Sequence, residues 1–345
     1  MGGNAGRMRA VAYRKSLPLD DGESLVDVEL PVPEPGPTDL LVRVEAVAVN
    51  PVDYQTRKYT DPGGEPKVLG WDAAGTVVAT GDRAELFRTG DEVYYAGAHD
   101  RPGCDSEYHV VDERLVARKP ATLTFTEAAA LPLTSLTAWE GLFERLGLRR
   151  ASLERAGALL VTAAAGGVGS MVVQLAGALT ALTVIGTASR PETVEFARRM
   201  GAHHLVDHHE PLPPQVAGIV PDGLDYVFST AGTDRNLPAY AEMLRPFGDI
   251  VVIDDHDTLP VGVLQSKAIS FHWELMFTRS LYGTPDRIAQ HRILTQVARL
   301  VDRGVLTTTA TRDLGRIDAA HLREAHRIME SGTAVGKVTL TGFGD

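Results

Sequence analysis

The apolar positions change rhythm twice along the chain. From Met8 to about Lys119 they fall in short β-branched runs, MRAVAY, DLLVRVEAVAV, AAGTVVATG, DEVYYAG and EYHVV, separated by turn signals. Runs of this kind predict strands of a β-rich domain, and PVPEPGP at Pro31 to Pro37 reads as a rigid connector. Around Thr126 the pattern turns helical in TEAAALPLTSLTAWEGLFERLG, interrupted at Pro132, which predicts a hinge between domains. Apolar strands then alternate with amphipathic helices: ALLVTA and a helix, LTVIGTA and ETVEFARRMG, HLVDH, LDYVFSTAG and NLPAYAEMLRPFG, then DIVVIDD. This βαβα alternation predicts an α/β domain with a doubly wound parallel sheet.

After Pro285 the rhythm changes again. RIAQHRILTQVARLVDRG repeats Ile288, Leu294, Val297 and Val301 at helical spacing and stops at Gly304, and DAAHLREAHRIMESG stops at Gly332. The closing run AVGKVTLTGF is a strand that completes the first domain. The expected division is 8–130 with 285–345 for one domain and 131–284 for the other.

Length agrees with two domains, since 345 residues exceed the size at which one core stops growing, roughly 250–300 residues. Arg155 and Arg190 bracket a stretch without charge. Glycines, Thr, Ser and Gln scattered through it favour a buried β-α-β unit over a membrane span. A net charge of -11 with no basic stripe argues against a nucleic-acid partner. The single cysteine, Cys104, excludes an intrachain disulfide and a multi-thiolate zinc site, and fits a reducing cytoplasm. The opening MGGNAGRMRAVAY has no apolar run of the export type, so a soluble cytoplasmic protein is expected.

The chemistry begins where ALLVTA meets AAGGVGS and a helix. Glycines there let the backbone approach a pyrophosphate, with the positive helix end facing the negative charge. Gly166, Gly167, Val168 and Gly169 are therefore the candidate cofactor turn. At the end of the following strand, where an acid would bind the ribose of NAD, the sequence reads GTASRPE. Ser189 and Arg190 suit a 2′-phosphate, which predicts NADPH. SRPE also reads as a capping box with Ser189 as N-cap and Glu192 at N3. In GAHHLVDHHE, four histidines raise the question of a metal, but without Cys or a helical His pair, His208 is better placed beside the adenosine.

LLVRVEAVAVNPVDY, VLGWDAAG, FRTGDEVYYAG, EAAALPLTSLTAWEGLF, VTAAAGGVGS and the terminal GKVTL together resemble the quinone oxidoreductase branch of the medium-chain dehydrogenase/reductase superfamily, from Met8 to Phe343. The nearest subgroup is the one called zinc-type alcohol dehydrogenase-like, similar also in SFHWELMFTRS and in RPG near residue 102. The resemblance implies a GroES-like β-rich domain from both chain ends, a central Rossmann domain and an active site in the cleft between them. It further implies a homodimer that reduces quinones or activated alkenes with NADPH. Where similar zinc enzymes carry ligands, this chain has Asn50 and Trp71, and a lone Asp72 does not make a tetrahedral zinc site. A metal-free enzyme is expected, with Trp71 lining the substrate cleft or packing beneath it.

Without a metal, donors must be aimed where negative charge develops on the substrate. By resemblance, Asn50 would offer its amide to the oxyanion, Tyr54 a proton, and Thr137, Phe271, His272 and Trp273 contacts near the nicotinamide. Each has a plainer reading, as a turn residue, a packed ring or a helix threonine. Two other functions suit the same residues: a pathway-specific enoyl or keto reductase of secondary metabolism, and a non-catalytic NADPH-binding sensor.

Overall fold

The computed structural model describes residues 6–148 and 157–344. The chain forms two compact units, one comprising residues up to Leu133 together with those from Phe277 onward, the other Thr134–Met276. The strand runs of the sequence become two sheets in the first unit. Arg7–Tyr13 pairs antiparallel with Val26–Pro31 and with Lys67–Val68. The larger sheet has seven strands, with Asp39–Val49 at its centre.

That central strand is flanked by Ala73–Thr80, Tyr108–Asp112 and the C-terminal Lys337–Thr341, all antiparallel to it. Val338 faces Val49 and Leu340 faces Val47, so the chain end closes a sheet begun near residue 39. The strand is apolar on both faces because neighbours cover both, and its burial is nearly continuous. Helix Ala289–Asp302 buries Ile293, Leu294, Val297 and Val301, the spacing of one helical face. Asp318 caps helix Ala319–Glu330 by accepting from the His321 N–H at 2.8 Å.

The second unit carries six parallel strands in the order His204–Val206, Thr183–Thr187, Ala158–Val161, Leu224–Ser229, Leu244–Val252 and Ser270–Trp273. In chain order this is 3-2-1-4-5-6, with the reversal beside Ala158–Val161, the arrangement of a dinucleotide-binding sheet. Leu160, Ile185, Val227 and Ile250 build one core layer with Leu237 and Tyr240 of helix Thr233–Met243. The second unit is an α/β Rossmann fold and the first a GroES-like β domain, as the sequence pattern and resemblance implied.

Two local expectations differ. The helix expected through LRPFG ends at Met243, because Leu244–Val252 is already extended and bulged opposite Leu224 to Tyr226. The segment following Pro132 contains a π-helical turn, Glu140–Arg145, after helix Pro132–Trp139. Among the described residues no helix is long and apolar enough to cross a membrane.

Candidate active site

In the first unit, Asn50 is the N-cap of helix Pro51–Tyr59, whose first residue is proline, and Asp53 at N3 accepts the Asn50 N–H at 2.6 Å. The Asn50 side chain turns inward. Its Nδ2 donates to Asp72 Oδ2 at 2.9 Å, and its Oδ1 accepts from Lys337 Nζ. Lys337 Nζ also donates to Asp72 Oδ2 at 2.8 Å, while the Leu133 N–H meets Asp72 Oδ1 at 2.7 Å. Asp72 and Lys337 are 0% and 3% exposed, so this is a fully desolvated ion pair with its remaining lone pairs satisfied.

Further acids surround it. Asp53 Oδ1 accepts the Gly70 N–H at 3.1 Å, and Gly70, at φ +107°, passes so close to Asp105 that a Cβ would lie 2.7 Å from its Oδ1. Burial pushes Asp53 up to about 7, against the pull of the Asn50 and Gly70 N–H groups and Lys337. Burial and then Asp53 push Asp105 well above the carboxylate range, and burial raises Asp72 against the pull of Lys337. The Cys104 thiol is raised by burial and donates to the Asp72 carbonyl at 3.6 Å.

The Asn50 amide is buried; its Nδ2 donates to Asp72 Oδ2 and lies 3.4 Å from the Ala48 and Trp71 carbonyl oxygens. Trp71 is enclosed, 1% exposed, with Nε1 donating to the Ala98 carbonyl at 3.3 Å. His99 stacks on the indole and Phe277 meets its edge. Tyr54 is half-buried, its hydroxyl raised by burial.

In the second unit the glycine turn forms between Ala158–Val161 and helix Gly167–Leu179, with Gly166 as N-cap. A Cβ on Gly169 would sit 2.2 Å from the Ala163 carbonyl oxygen, so only glycine fits against the turn. Thr187 fixes it from the next strand: its Oγ1 accepts from Ala163 N at 2.9 Å and its carbonyl from Ala164 N at 3.1 Å. The N–H groups of Gly167, Val168 and Gly169 belong to a first helical turn that lacks intrahelical acceptors, a suitable cradle for a pyrophosphate. Thr162 Oγ1 accepts the Thr230 N–H at 2.7 Å, tying the start of the turn to the end of Leu224–Ser229.

Ser189 and Arg190 follow Thr183–Thr187 and are both half-buried. The capping box is displaced by one residue from the expected one. Pro191 takes the first helical position, so Arg190 is the N-cap and Thr193 Oγ1 accepts its N–H at 3.1 Å. Arg190 Nε lies 3.3 Å from Glu192 Oε1. His208 follows His204–Val206 at the same end of the sheet and is exposed, its ring 4.5 Å from that of His209. Burial, then His209, holds it below the usual histidine value.

The turn, Ser189, Arg190, His208 and Trp273 thus share the C-terminal edge of the sheet. Phe271 and His272 sit further back in the edge strand. Phe271 packs on the core and on Trp273, and His272 Nε2 reaches backward to Asp249 Oδ1 at 3.3 Å, away from that edge. Thr137 is buried in helix Pro132–Trp139. Sequence reasoning missed Lys337, Asp53, Asp105 and His99. A lysine opening an apolar strand in GKVTL was the available signal for the first.

The donors around Asp72 do not fit zinc. Both its oxygens are taken by Lys337, Asn50 and the Leu133 N–H, and the thiol beside it is held protonated. Among the described residues no three His, Cys, Asp or Glu side chains form a metal-sized group.

The fold and the glycine turn define a nicotinamide-dependent oxidoreductase. Residues 36–121 match the alcohol dehydrogenase GroES-like domain and residues 167–293 the zinc-binding dehydrogenase family. The chain is 36% identical over 336 residues to a zinc-type alcohol dehydrogenase-like protein of Staphylococcus epidermidis, covering 96% of this chain and 99% of that one. It is 51% identical to a putative zinc-dependent alcohol dehydrogenase from Rhizobium etli, whose crystal structure superposes with TM-score 0.95 over 99% of each chain. A 2-methylene-furan-3-one reductase of Solanum lycopersicum is 34% identical over 239 residues, 66% of this chain and 58% of that protein. The chain belongs to the medium-chain dehydrogenase/reductase superfamily, in its quinone oxidoreductase-like branch.

Proposed function

We propose that this protein is an NADPH-dependent, metal-independent reductase of quinones or activated alkenes. The observation that carries the reading is the Asp72–Lys337 pair: the one acid of LGWDAAG is neutralised by a buried ammonium instead of facing a metal. A site without a Lewis acid suits substrates whose own conjugation accommodates the negative charge of reduction. The similarity to the tomato 2-methylene-furan-3-one reductase supports the enone class.

NADPH would supply the hydride. Gly166 to Gly169 would hold its pyrophosphate at the helix end, and Ser189 and Arg190, standing where an acid would bind the ribose of NAD, would receive a 2′-phosphate. His208 would border the adenosine. The same reading takes the enzyme to be a cytoplasmic homodimer, on the resemblance of the branch.

The test is NADPH oxidation at 340 nm beside NADH, after exhaustive chelation, with a simple quinone and an unsaturated ketone. Chelator-resistant turnover that prefers NADPH is the expected result. Activity lost with the metal would overturn the reading, and cofactor binding without turnover on either acceptor would favour a sensor.

A further inference from the structure

The edge strand of the Rossmann sheet and its neighbour end side by side. Thr183–Thr187 and His204–Val206 run parallel with Thr187 opposite Val206, and the Ala188 N–H donates to the Val206 carbonyl at 3.0 Å. Two residues beyond that pair stand Ser189 in one segment and His208 in the other, so the register carries His208 out beside Ser189 and Arg190. Gln215 of helix Leu212–Ala217 holds the departing backbone: its Oε1 accepts the Asp207 N–H at 2.9 Å and its Nε2 donates to the Asp207 carbonyl at 2.8 Å.

The charges around His208 are mostly positive. Its ring tilts against that of His209, centroids 4.5 Å apart, and Arg190 bears on it from the neighbouring strand end. The Asp207 carboxylate turns to His209, accepting the His209 N–H at 2.9 Å with His209 Nδ1 at 3.3 Å. On helix Pro191–Arg199, Glu192 lies against Arg190 and Glu195 against Arg199, while helix Leu212–Ala217 carries no charged side chain. Partial burial, then His209, hold His208 below its ordinary 6.5, with Asp207 pulling upward and Arg190 adding a smaller push down. Two bases and a guanidinium gathered at one exposed strand end suit an anion, and an opposite charge within roughly 4–6 Å favours the protonated ring.

We propose that His208 is a proton-linked selector of the cofactor: it takes up a proton from water as a 2′-phosphate settles against Arg190, and the preference for NADPH over NADH strengthens as pH falls from about 8 to 6.5. The assignment rests on the NADPH reading above. Binding that makes the imidazole a stronger base is favoured by protons. The gain is fully present below the value in the free protein and is lost as pH rises through the value in the complex. The phosphate's own second ionisation, near about pH 6, works the other way, since a guanidinium favours the dianion and drives its proton off. The two contributions therefore differ in sign.

The test titrates 2′,5′-ADP and 5′-AMP calorimetrically into wild type and His208→Gln at pH 7, in buffers of different ionisation enthalpy. Wild type is expected to take up on the order of half a proton with 2′,5′-ADP and none with 5′-AMP, and His208→Gln to take up none with either. By fluorescence titration, the ratio of NADH to NADPH Kd should rise about fivefold from pH 8 to 6.5 in wild type and stay flat or fall in His208→Gln. The His208 imidazole, assigned by NMR from its loss in the variant, should titrate below 6.5 in the apo protein and higher with 2′,5′-ADP bound. His208 is exposed, so the variant should melt with wild type. Proton uptake that persists in His208→Gln, or is absent from a wild type that still prefers 2′,5′-ADP, overturns the assignment and leaves the NADPH reading intact. A wild type that binds 2′,5′-ADP no more tightly than 5′-AMP overturns the NADPH reading itself, and the assignment falls with it.

Discussion

Lys337 places its Nζ 2.8 Å from Asp72 Oδ2 although 265 residues separate them in sequence. The contact joins the last strand of the chain to LGWDAAG, and Asn50 completes it from the start of helix Pro51–Tyr59. A buried carboxylate left without its ammonium is costly, whereas replacing both charges costs far less. Lys337→Met is therefore expected to destabilise the protein by about 3–5 kcal/mol. The double variant Lys337→Met with Asp72→Asn should recover much of that loss. Denaturant unfolding of the four proteins in a double-mutant cycle measures the coupling, and a double variant as unstable as the single one would count against an ion pair.

A second buried base sets the response to acid. Arg57 Nε donates to His326 Nδ1 at 3.2 Å, so the proton of the neutral ring is on Nε2, which meets no polar partner among the described residues. Burial, with Arg57 beside it, pushes His326 down to about 3. His109 is likewise pushed down by burial to about 4, its ring held between the Tyr95 hydroxyl and the Pro102 carbonyl. A histidine with a depressed folded pKa binds more protons unfolded, so its contribution is fully present above about 6.5 and is lost as pH falls toward the folded value. The two histidines cost stability as pH falls from 6.5 to 4, against the opposite contribution of the raised Asp53 and Asp105, so His326→Gln should lose less stability, or gain more, than wild type over that range in urea unfolding. An unchanged slope would remove His326 as a contributor.

The glycine turn gives a third expectation. The nearest atoms to a Cβ on Gly169 are backbone, the Ala163 carbonyl oxygen at 2.2 Å and its carbon at 2.9 Å, and backbone does not move aside as a flexible side chain would. Gly169→Ala should force the strand-to-helix turn open and weaken NADPH binding by tenfold or more, about 1.4 kcal/mol. Fluorescence titration of the cofactor checks this, with Gly177→Ala as a control because its nearest neighbour would be at 3.5 Å.

The two-domain organisation and the sheet class were legible because strand and helix periods differ and the glycine turn sits between them. AVGKVTLTGF read correctly as a closing strand, but its pairing with Asp39–Val49 is visible only in the fold. What stayed hidden was pairwise. Nothing local in LGWDAAG says that Asp72 will meet a lysine from the far end of the chain, and nothing in VNPVDY says that the Asn50 amide will face inward. The capping shift at Arg190 was readable in principle, since Pro191 prefers the first helical position, but SRPE offered a competing box. His99 carried no motif, and only the fold brings Trp71, Phe277 and Thr56 around it.

Arg190 offers the most selective test of the cofactor. Its side chain stands at the end of Thr183–Thr187 and lies 3.3 Å from Glu192, both partly exposed, so that surface pair contributes little to stability. Removing the guanidinium should leave the fold intact, with a melting temperature close to that of wild type. A hydrogen bond to a charged group is worth roughly 1.5–3 kcal/mol, so Arg190→Ala should raise the NADPH Kd by about 10- to 100-fold. NADH lacks the 2′-phosphate and should bind with nearly unchanged affinity. Competition by 2′,5′-ADP against 5′-AMP isolates the same contact without the nicotinamide, and should lose its preference in the variant. If Arg190→Ala weakens NADPH and NADH equally, the guanidinium serves the helix end or the ribose, and the preference for NADPH loses its physical basis.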